Sequence, residues 1–414
     1  MSAKSTIPSK SKDSFRLLHT ADWHLGKTLN DQSREEEHAL FLKWLLEAID
    51  HHEVDAILLA GDVFDSANPP QSALSLYYNF VADLFKRPAC SLTVISGNHD
   101  SASLLEAPKQ ALKALNVHVT GTMAGEPADR LLILEKEGKQ CLTVAMLPFL
   151  RDRDLRTGRA GESRDEITRE LTSGIAQRYR EAAEALPKGC PAIATGHLTV
   201  AGSRTSDAER EIHIGGLGSV TADIFPEEFS YIALGHLHRP QAAGTAAHVR
   251  YSGSPIPLSF SEHTDEKEVR ILDIDAKGVT HHGLEIPLFR QLSQIRTTVA
   301  GLEKDLKGFK PKGGELKAWV EVVVEDASPQ DDLNEHVHSL TEKAPFEVLK
   351  VLRGRTQAVV GPSAGDASDD EAIEDLLSDQ KAVFDHRLSK ETAFSEKEME
   401  ELRSAFTELL ERIQ

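Results

Sequence analysis

The chain has 414 residues, 40% of them hydrophobic and 27% charged, the balance of a soluble globular protein long enough for two or three domains. A formal net charge of −19 excludes an evenly basic nucleic-acid binder, although local basic patches can still follow a phosphate backbone. No run approaches the roughly 18 apolar residues of a membrane span, and Cys90, Cys141 and Cys190 are odd in number and unclustered, which points to buried, reduced thiols in the cytoplasm and not to disulfides or a zinc site.

Met1 to Ser14 is polar and basic and reads as a disordered tail, not a signal peptide. Five short apolar runs then recur, Arg16 to His19, Ala56 to Ala60, Leu92 to Ile95, Ala192 to Thr195 and Tyr231 to Leu234, each with the continuous hydrophobicity of a parallel strand buried on both faces. Directly after them stand Asp22-Trp23-His24, Gly61-Asp62-Val63-Phe64-Asp65, Gly97-Asn98-His99-Asp100, Gly196-His197 and Gly235-His236-Leu237-His238. Strands lying side by side would deliver these side chains to one carboxyl edge, where open α/β sheets place their ligand sites.

Between the first runs the spacing predicts helices over Gln32 to His51 and Ser72 to Phe85, whose apolar faces would pack on the sheet. Arg130 to Glu135 and Gln140 to Met146 read as a hairpin turning at Glu137-Gly138. Arg151 to Arg164 and Ala201 to Gly218 read as loops, placed to wall the site. Basic residues gather at Arg151, Arg153, Arg156 and Arg159, with Lys27, Arg34, Arg164 and Arg204 elsewhere; they form either a solvated face or a track for a phosphate backbone, with Lys27, Arg151, Arg153 and Arg204 the candidates for lining such a track.

From Ile286 the pattern alternates strand, helix, strand, helix, strand up to Arg355, without metal-ligand motifs, and predicts a small α+β module. Gly361 to Ala367 is a Gly/Ser/Pro/Asp-rich linker opening an acidic stretch. The last helical segment begins at Ser395 with Glu398 three residues on, a capping box, and sets Met399, Leu402, Phe406, Leu409 and Ile413 on one face. Such a short amphipathic helix cannot bury its stripe alone. It docks either on its own domain or on the helices of a partner, and the preceding linker favours the partner.

Carboxylate and amide oxygens mixed with imidazole nitrogens suit two borderline or hard divalent ions, with Mn²⁺ a good fit. The candidate ligands are Asp22, His24, Asp62, Asn98, His197, His236 and His238. Asp62 is the natural bridge, since it belongs to the central segment and can divide two oxygens between two cations, and Gly61 lets the backbone approach.

The order Asp22-x-His24, Gly61-Asp62-x-x-Asp65, Gly97-Asn98-His99-Asp100, Gly196-His197, Gly235-His236-x-His238 resembles the calcineurin-like metallophosphoesterases. The wording of Leu18 to Gly26, of Gly61 to Asp65 with Pro69-Pro70, and of Tyr251 to Phe260 is more narrowly similar to nuclease subunits of bacterial DNA-repair complexes, strongly over Phe15 to Phe260 and loosely beyond. The resemblance implies an α/β fold, a two-sheet sandwich flanked by helices, divided as a tail over 1–14, a catalytic domain over 15–285, a DNA-binding α+β cap over 286–360 and an acidic linker with C-terminal docking helices over 361–414.

It further implies Asp22, His24 and His238 on one ion, Asn98, His197 and His236 on the other, and Asp62 between them. The implied activity is Mn²⁺-dependent cleavage of DNA, exonucleolytic at double-stranded ends and endonucleolytic on single strands and hairpins. The implied partners are DNA, a coiled-coil ABC-type ATPase and a second copy of the chain, whose contact uses helices of the Gln32 to Phe85 region, in the cytoplasm near the nucleoid. If Asn98 is a ligand, His99 is free to contact the phosphate and protonate the leaving oxygen, with Asp100 to orient it; the alternative for His99 is a supporting hydrogen bond alone. Asp65 is read as supporting a ligand, and His38, His51, His52, His281 and His282 as surface residues. Two other readings stay open, a small-molecule phosphodiesterase with the same metal set and a non-catalytic scaffold. A small substrate needs neither cap nor docking helix, and a scaffold gains nothing from burying costly polar groups.

Overall fold

The computed structural model describes residues 7–157, 162–204, 219–328 and 332–354. The docking stripe from Met399 to Ile413, the acidic linker, Arg159 and most of the Ala201 to Gly218 loop lie outside the described residues.

The five site-bearing strands do not share one sheet, as the simplest alignment of the apolar runs would have it; they are divided between two. The first sheet runs Gly278–Glu285, Glu268–Asp275, Phe15–Thr20, Ala56–Ala60, Ser91–Ile95, Val117–Thr120, with the last four strands parallel. The second runs Gln241–Ala243, Ala246–Tyr251, Phe229–Gly235, Ala192–His197, Lys139–Ala145, Leu131–Lys136. Period-two alternation assigns the faces. Leu17, Leu58 and Ala60 point between the sheets to meet Leu142, Val144, Ile193 and Tyr231. Leu18, Ile57 and Leu59 point outward onto Phe41, Leu45, Tyr77 and Phe80 of the helices Glu35–His51 and Gln71–Phe85. On the far side Ala194, Ile232 and Leu234 pack on Leu171, Ile175 and Tyr179 of the helix Arg164–Glu184. Both faces of every central strand are therefore buried, and this is why the runs are apolar without a break.

Three local expectations need correction. His38 is buried, because the inward stripe of its helix starts early with Glu37 and His38 before Phe41, Leu42 and Leu45. Arg34 is fully buried and paired with Glu37, with Nε to Oε1 at 2.6 Å, so it cannot track a phosphate backbone. The Arg151 to Arg164 stretch is not all loop: it contains the short helix Asp152–Leu155 and the start of the long one, and Arg156 is held by Asp152 and Glu162. Of the cysteines, Cys90 is buried, whereas Cys141 and Cys190 are only partly so, and all three are free thiols.

A third sheet is formed by Arg290–Thr297, Leu316–Val324 and Phe346–Arg353. Its strands are all parallel, so each connection must cross over, and the helices Leu302–Gly308 and Leu333–Thr341 make the crossings. It has its own apolar core of Leu302, Leu306, Val320, Val322, Leu333, Val337 and Phe346. Arg290 fastens it to the helix Glu35–His51, its guanidinium lying 3.0 Å from Glu37 Oε1 and 4.0 Å over the ring of Trp319. Among the described residues no helix is long and apolar enough to cross a membrane.

Candidate metal centre

The carboxyl ends of Phe15–Thr20, Ala56–Ala60 and Ser91–Ile95 in one sheet face those of Ala192–His197 and Phe229–Gly235 in the other. The chain must turn sharply at these ends to aim polar side chains into the gap. Asp22, His24, Asp62 and His236 accordingly hold φ values of 53°, 46°, 49° and 97°. Left-handed backbone at a non-glycine residue costs on the order of 1–3 kcal/mol and persists only where the surroundings over-determine it. Backbone bonds supply that support: Asp22 N–H donates to Gly61 O and His24 N–H to Asp62 O, both at 3.0 Å. A Cβ at Gly97 would collide with Asp62 Oδ1, so the loop carrying Asn98 reaches Asp62 only because position 97 is bare.

The side chains converge on Asp62. Its Oδ2 lies 3.5 Å from His24 Nε2 and 3.3 Å from His197 Nε2, while its Oδ1 accepts the His99 backbone N–H at 2.9 Å. Donor atoms of Asp22, Asp62 and His197 fall within 4.8 Å of one another, as do those of His24, Asp62 and His99. Asn98 Oδ1 is 2.9 Å from His197 Nε2. The His236 ring stands beside His197 and the His238 ring beside His24, with centroids 5.5 and 5.1 Å apart. All the sequence-derived ligand candidates are thus brought to one place.

The histidine tautomers are set by their outer partners. His197 Nδ1 donates to Ala60 O at 3.0 Å, His24 Nδ1 lies 3.2 Å from Asp65 Oδ1, and His238 Nδ1 lies 3.1 Å from Glu262 Oε1. A carbonyl or carboxylate can only accept, so each Nδ1 carries the hydrogen and each Nε2 is left for the centre, the arrangement that orients histidines on metals. His24 Nε2 is buried and makes no hydrogen bond. Burial would raise the Asp62 carboxyl, but the neighbouring His197 and His24 hold it well below the carboxylate range. His197 moves the other way, to about 9, since Asp62 outweighs its burial. A buried carboxylate that draws a proton onto the adjacent imidazole marks a place where positive charge is favoured, and hard oxygen with imidazole nitrogen fits a divalent cation.

Asp65 touches a ligand, as expected, and also accepts from Lys27 Nζ at 3.0 Å. Asp100 has a different task from orienting the His99 ring: its carboxylate accepts the backbone N–H groups of Val63, Phe64 and Gly97 at 3.2, 3.0 and 2.8 Å, stapling two site loops. His99 Nδ1 instead donates to Asp65 O. Of the proposed DNA contacts, Lys27 stands at the rim, Arg151 is partly buried, and Arg153 and Arg204 are exposed. Glu262 and Lys267 escaped the sequence reading. Within Ser261-Glu262-His263-Thr264-Asp265-Glu266-Lys267 they look like a solvated charge run, yet both are buried.

The sequence matches the family described as Calcineurin-like phosphoesterase over residues 15–240. Residues 288–392 match the family described as Type 5 capsule protein repressor C-terminal domain. The chain is similar to the SbcD subunit of the nuclease SbcCD of Escherichia coli (strain K12), 35% identical over 96% of this chain and 98% of that protein. It is also similar to the corresponding SbcCD nuclease subunit of Rhodobacter capsulatus, 42% identical over 69% of this chain and 72% of that protein. Among solved structures, TT1561 of Thermus thermophilus is 15% identical with a TM-score of 0.37, over 65% of this chain and 98% of that one. With more than half its length inside the family match and nearly all of it aligned to a relative at 35% identity, the chain belongs to the calcineurin-like metallophosphoesterases.

Proposed function

We propose that this chain is the nuclease subunit of an SbcCD-type complex, cleaving DNA with two divalent ions, Mn²⁺ being a good fit to the donor set, and acting on double-stranded ends and on single-stranded or hairpin DNA. The proposal builds on the chain being a metal-dependent phosphodiesterase of the metallophosphoesterase family. The observation that carries it is the position of Asp62 Oδ2 between His24 Nε2 and His197 Nε2, at 3.5 and 3.3 Å. One carboxylate oxygen shared by two histidine clusters is what a pair of cations would require.

In this reading Asp22, His24 and His238 hold one ion, Asn98, His197 and His236 the other, and Asp62 both. Two such ions supply Lewis acidity toward a phosphate and a water nucleophile at neutral pH. The chain's own groups do the rest. Asp100 and the strained turns hold the ligands in place before substrate arrives, and the Phe149 ring, edge-on to His197 with centroids 6.3 Å apart, walls the site with apolar surface. His99, its Nδ1–H engaged by Asp65 O, presents Nε2 to hold a proton for the departing oxygen. Lys27, Arg151, Arg153 and Arg204 would follow the strand as phosphate contacts. The three-stranded module joined through Arg290 is read as a cap over the DNA. The stripe from Met399 to Ile413 would dock on an SbcC-type coiled-coil ATPase, within an assembly containing two copies of this chain.

The test is digestion of linear double-stranded DNA and of a small chromogenic phosphodiester by the wild type and Asp62→Asn, with Mn²⁺. The expected result is DNA cleavage that vanishes in the variant together with bound metal. Cleavage of the small ester alone, with intact DNA, would favour the small-molecule reading.

A further inference from the structure

Of the three candidate ligand histidines with defined outer partners, His238 has the most elaborate one. Glu262 Oε1 faces its Nδ1 at 3.1 Å, and Oε2 accepts Lys267 Nζ at 2.6 Å and the Leu258 backbone N–H at 3.1 Å. Lys267 Nζ also donates to His238 O at 2.9 Å and to Ser254 Oγ at 3.0 Å. Its three hydrogens thus have three acceptors. Glu262 and Lys267 are 0% and 5% exposed.

Such a pair is not explained by stability. Removing both charges from water costs several kcal/mol per ion, and a well-packed apolar pair would often serve the fold as well. Its geometry is instead directed at one residue. Lys267 grips the His238 backbone directly and its imidazole through Glu262, so the ring's position, tautomer and rotation are all held. Oε1 turned toward Nδ1 makes Nε2 the lone-pair nitrogen of a ring that stands edge-on to that of His24, at a centroid distance of 5.1 Å. The ammonium has a second effect. A bare buried carboxylate behind a ligand would itself attract a cation, and Lys267 occupies that position.

We propose that Glu262 and Lys267 are positioning residues for His238, forming a buried Lys–Glu–His relay that fixes one face of one metal site and leaves the other site untouched. The inference rests on His238 being a ligand, as the proposed function has it. Neither residue touches substrate or the reacting atoms. Glu262→Gln keeps shape and an acceptor but removes the charge, and Lys267→Met removes the ammonium alone. Glu262→Gln with Lys267→Met removes both charges and avoids leaving either buried and unpaired.

The experiment is calorimetric titration of Mn²⁺ into the EDTA-stripped full chain, comparing wild type, the double variant, Glu262→Gln and His238→Ala, with circular dichroism to verify folding. Nitrogen-15 spectra of the histidine rings report the tautomer. In the double variant one of two binding events should weaken by about 10- to 100-fold, the usual consequence of losing an outer partner of a histidine ligand. The second event should be unchanged, and the Nδ1–H tautomer of His238 should give way to a mixture. A folded double variant with two wild-type affinities and an unchanged tautomer overturns the relay, provided that His238→Ala does lose an ion. If His238→Ala also keeps both affinities, the ligand assignment itself fails, and the relay with it.

Discussion

His99 Nδ1 donates to the backbone carbonyl of Asp65 at 2.8 Å, and its ring, with Nε2 as the other nitrogen, stands edge-on to that of His24 at a centroid distance of 4.7 Å. That nitrogen can serve in two ways, since donor atoms of His24, Asp62 and His99 also lie within 4.8 Å of one another. The acid reading makes a definite prediction. His99→Ala should bind two Mn²⁺ per chain, measured by elemental analysis, and lose about 10²- to 10⁴-fold in turnover. Loss of one ion in parallel with activity would make His99 a ligand.

The residues Met399, Leu402, Phe406, Leu409 and Ile413 lie outside the described residues, and the proposed function assigns them to docking on a partner. Each apolar side chain is worth roughly 1.5–3 kcal/mol when fully buried, so two charges within the stripe should remove most of a docking energy. Leu402→Glu with Leu409→Glu is expected to leave Mn²⁺ binding and basal nuclease activity intact and to abolish co-purification with an SbcC-type ATPase. Retention of the ATPase at wild-type stoichiometry would point to a helix folded back on its own chain.

The site was legible in the sequence because its chemistry follows directly on strands that are apolar on both faces. Asp22, Asp62 and His197 could be placed at strand ends before any geometry was known. Which sheet each strand joins was not legible, since alternation records that a face is buried but not what covers it. The outer partners were hidden for a related reason. Arg34, Glu37 and His38 stand in Ser33-Arg34-Glu35-Glu36-Glu37-His38, which looks solvated, and their burial follows from the stripe of the helix that faces inward, from Pro257 O accepting Arg34, and from Arg290 of the third sheet reaching Glu37. Asp100 was misread because adjacency to His99 suggested contact, whereas successive residues at a strand end point apart and its carboxylate turned to backbone donors.

Acid should destabilise the metal-free protein partly through its buried histidines. Burial, then Arg34, pushes His38 down to about 3; burial, then Arg270, does the same to His19. Both rings are neutral in the fold, while the unfolded chain protonates them below about 6.5. The unfolded state then binds more protons, so stability is complete above that value and falls as pH drops from about 6.5 toward 3, by about 1.4 kcal/mol per pH unit for each ring. In EDTA-stripped protein, His38→Phe should make the slope of urea-derived stability between about pH 6 and 5 shallower by that amount. An unchanged slope would mean that His38 takes up its proton in the fold.

Glu37 joins two bodies of the structure. Its Oε1 accepts Arg34 Nε at 2.6 Å and lies 3.0 Å from Arg290 Nε, and both guanidinium groups are buried, with Arg290 stacked on Trp319. Arg34 also donates to Pro257 O at 2.8 Å and Arg290 to Lys317 O at 2.7 Å, so neither can swing out to water without breaking a second bond. Glu37→Ala would strip Arg34 of its paired carboxylate and leave Arg290 only that of the exposed Glu36, 2.9 Å away, a change expected to cost about 3–5 kcal/mol. Removing one cation as well should return part of that. The combination Glu37→Ala with Arg290→Met is therefore expected to be less destabilised than the sum of the single variants, with a coupling of about 1–3 kcal/mol in a urea-denaturation cycle. Strict additivity would mean that Glu37 and Arg290 are uncoupled, and that the Glu37 carboxylate contributes nothing to joining the third sheet to the helix that follows the His24 turn.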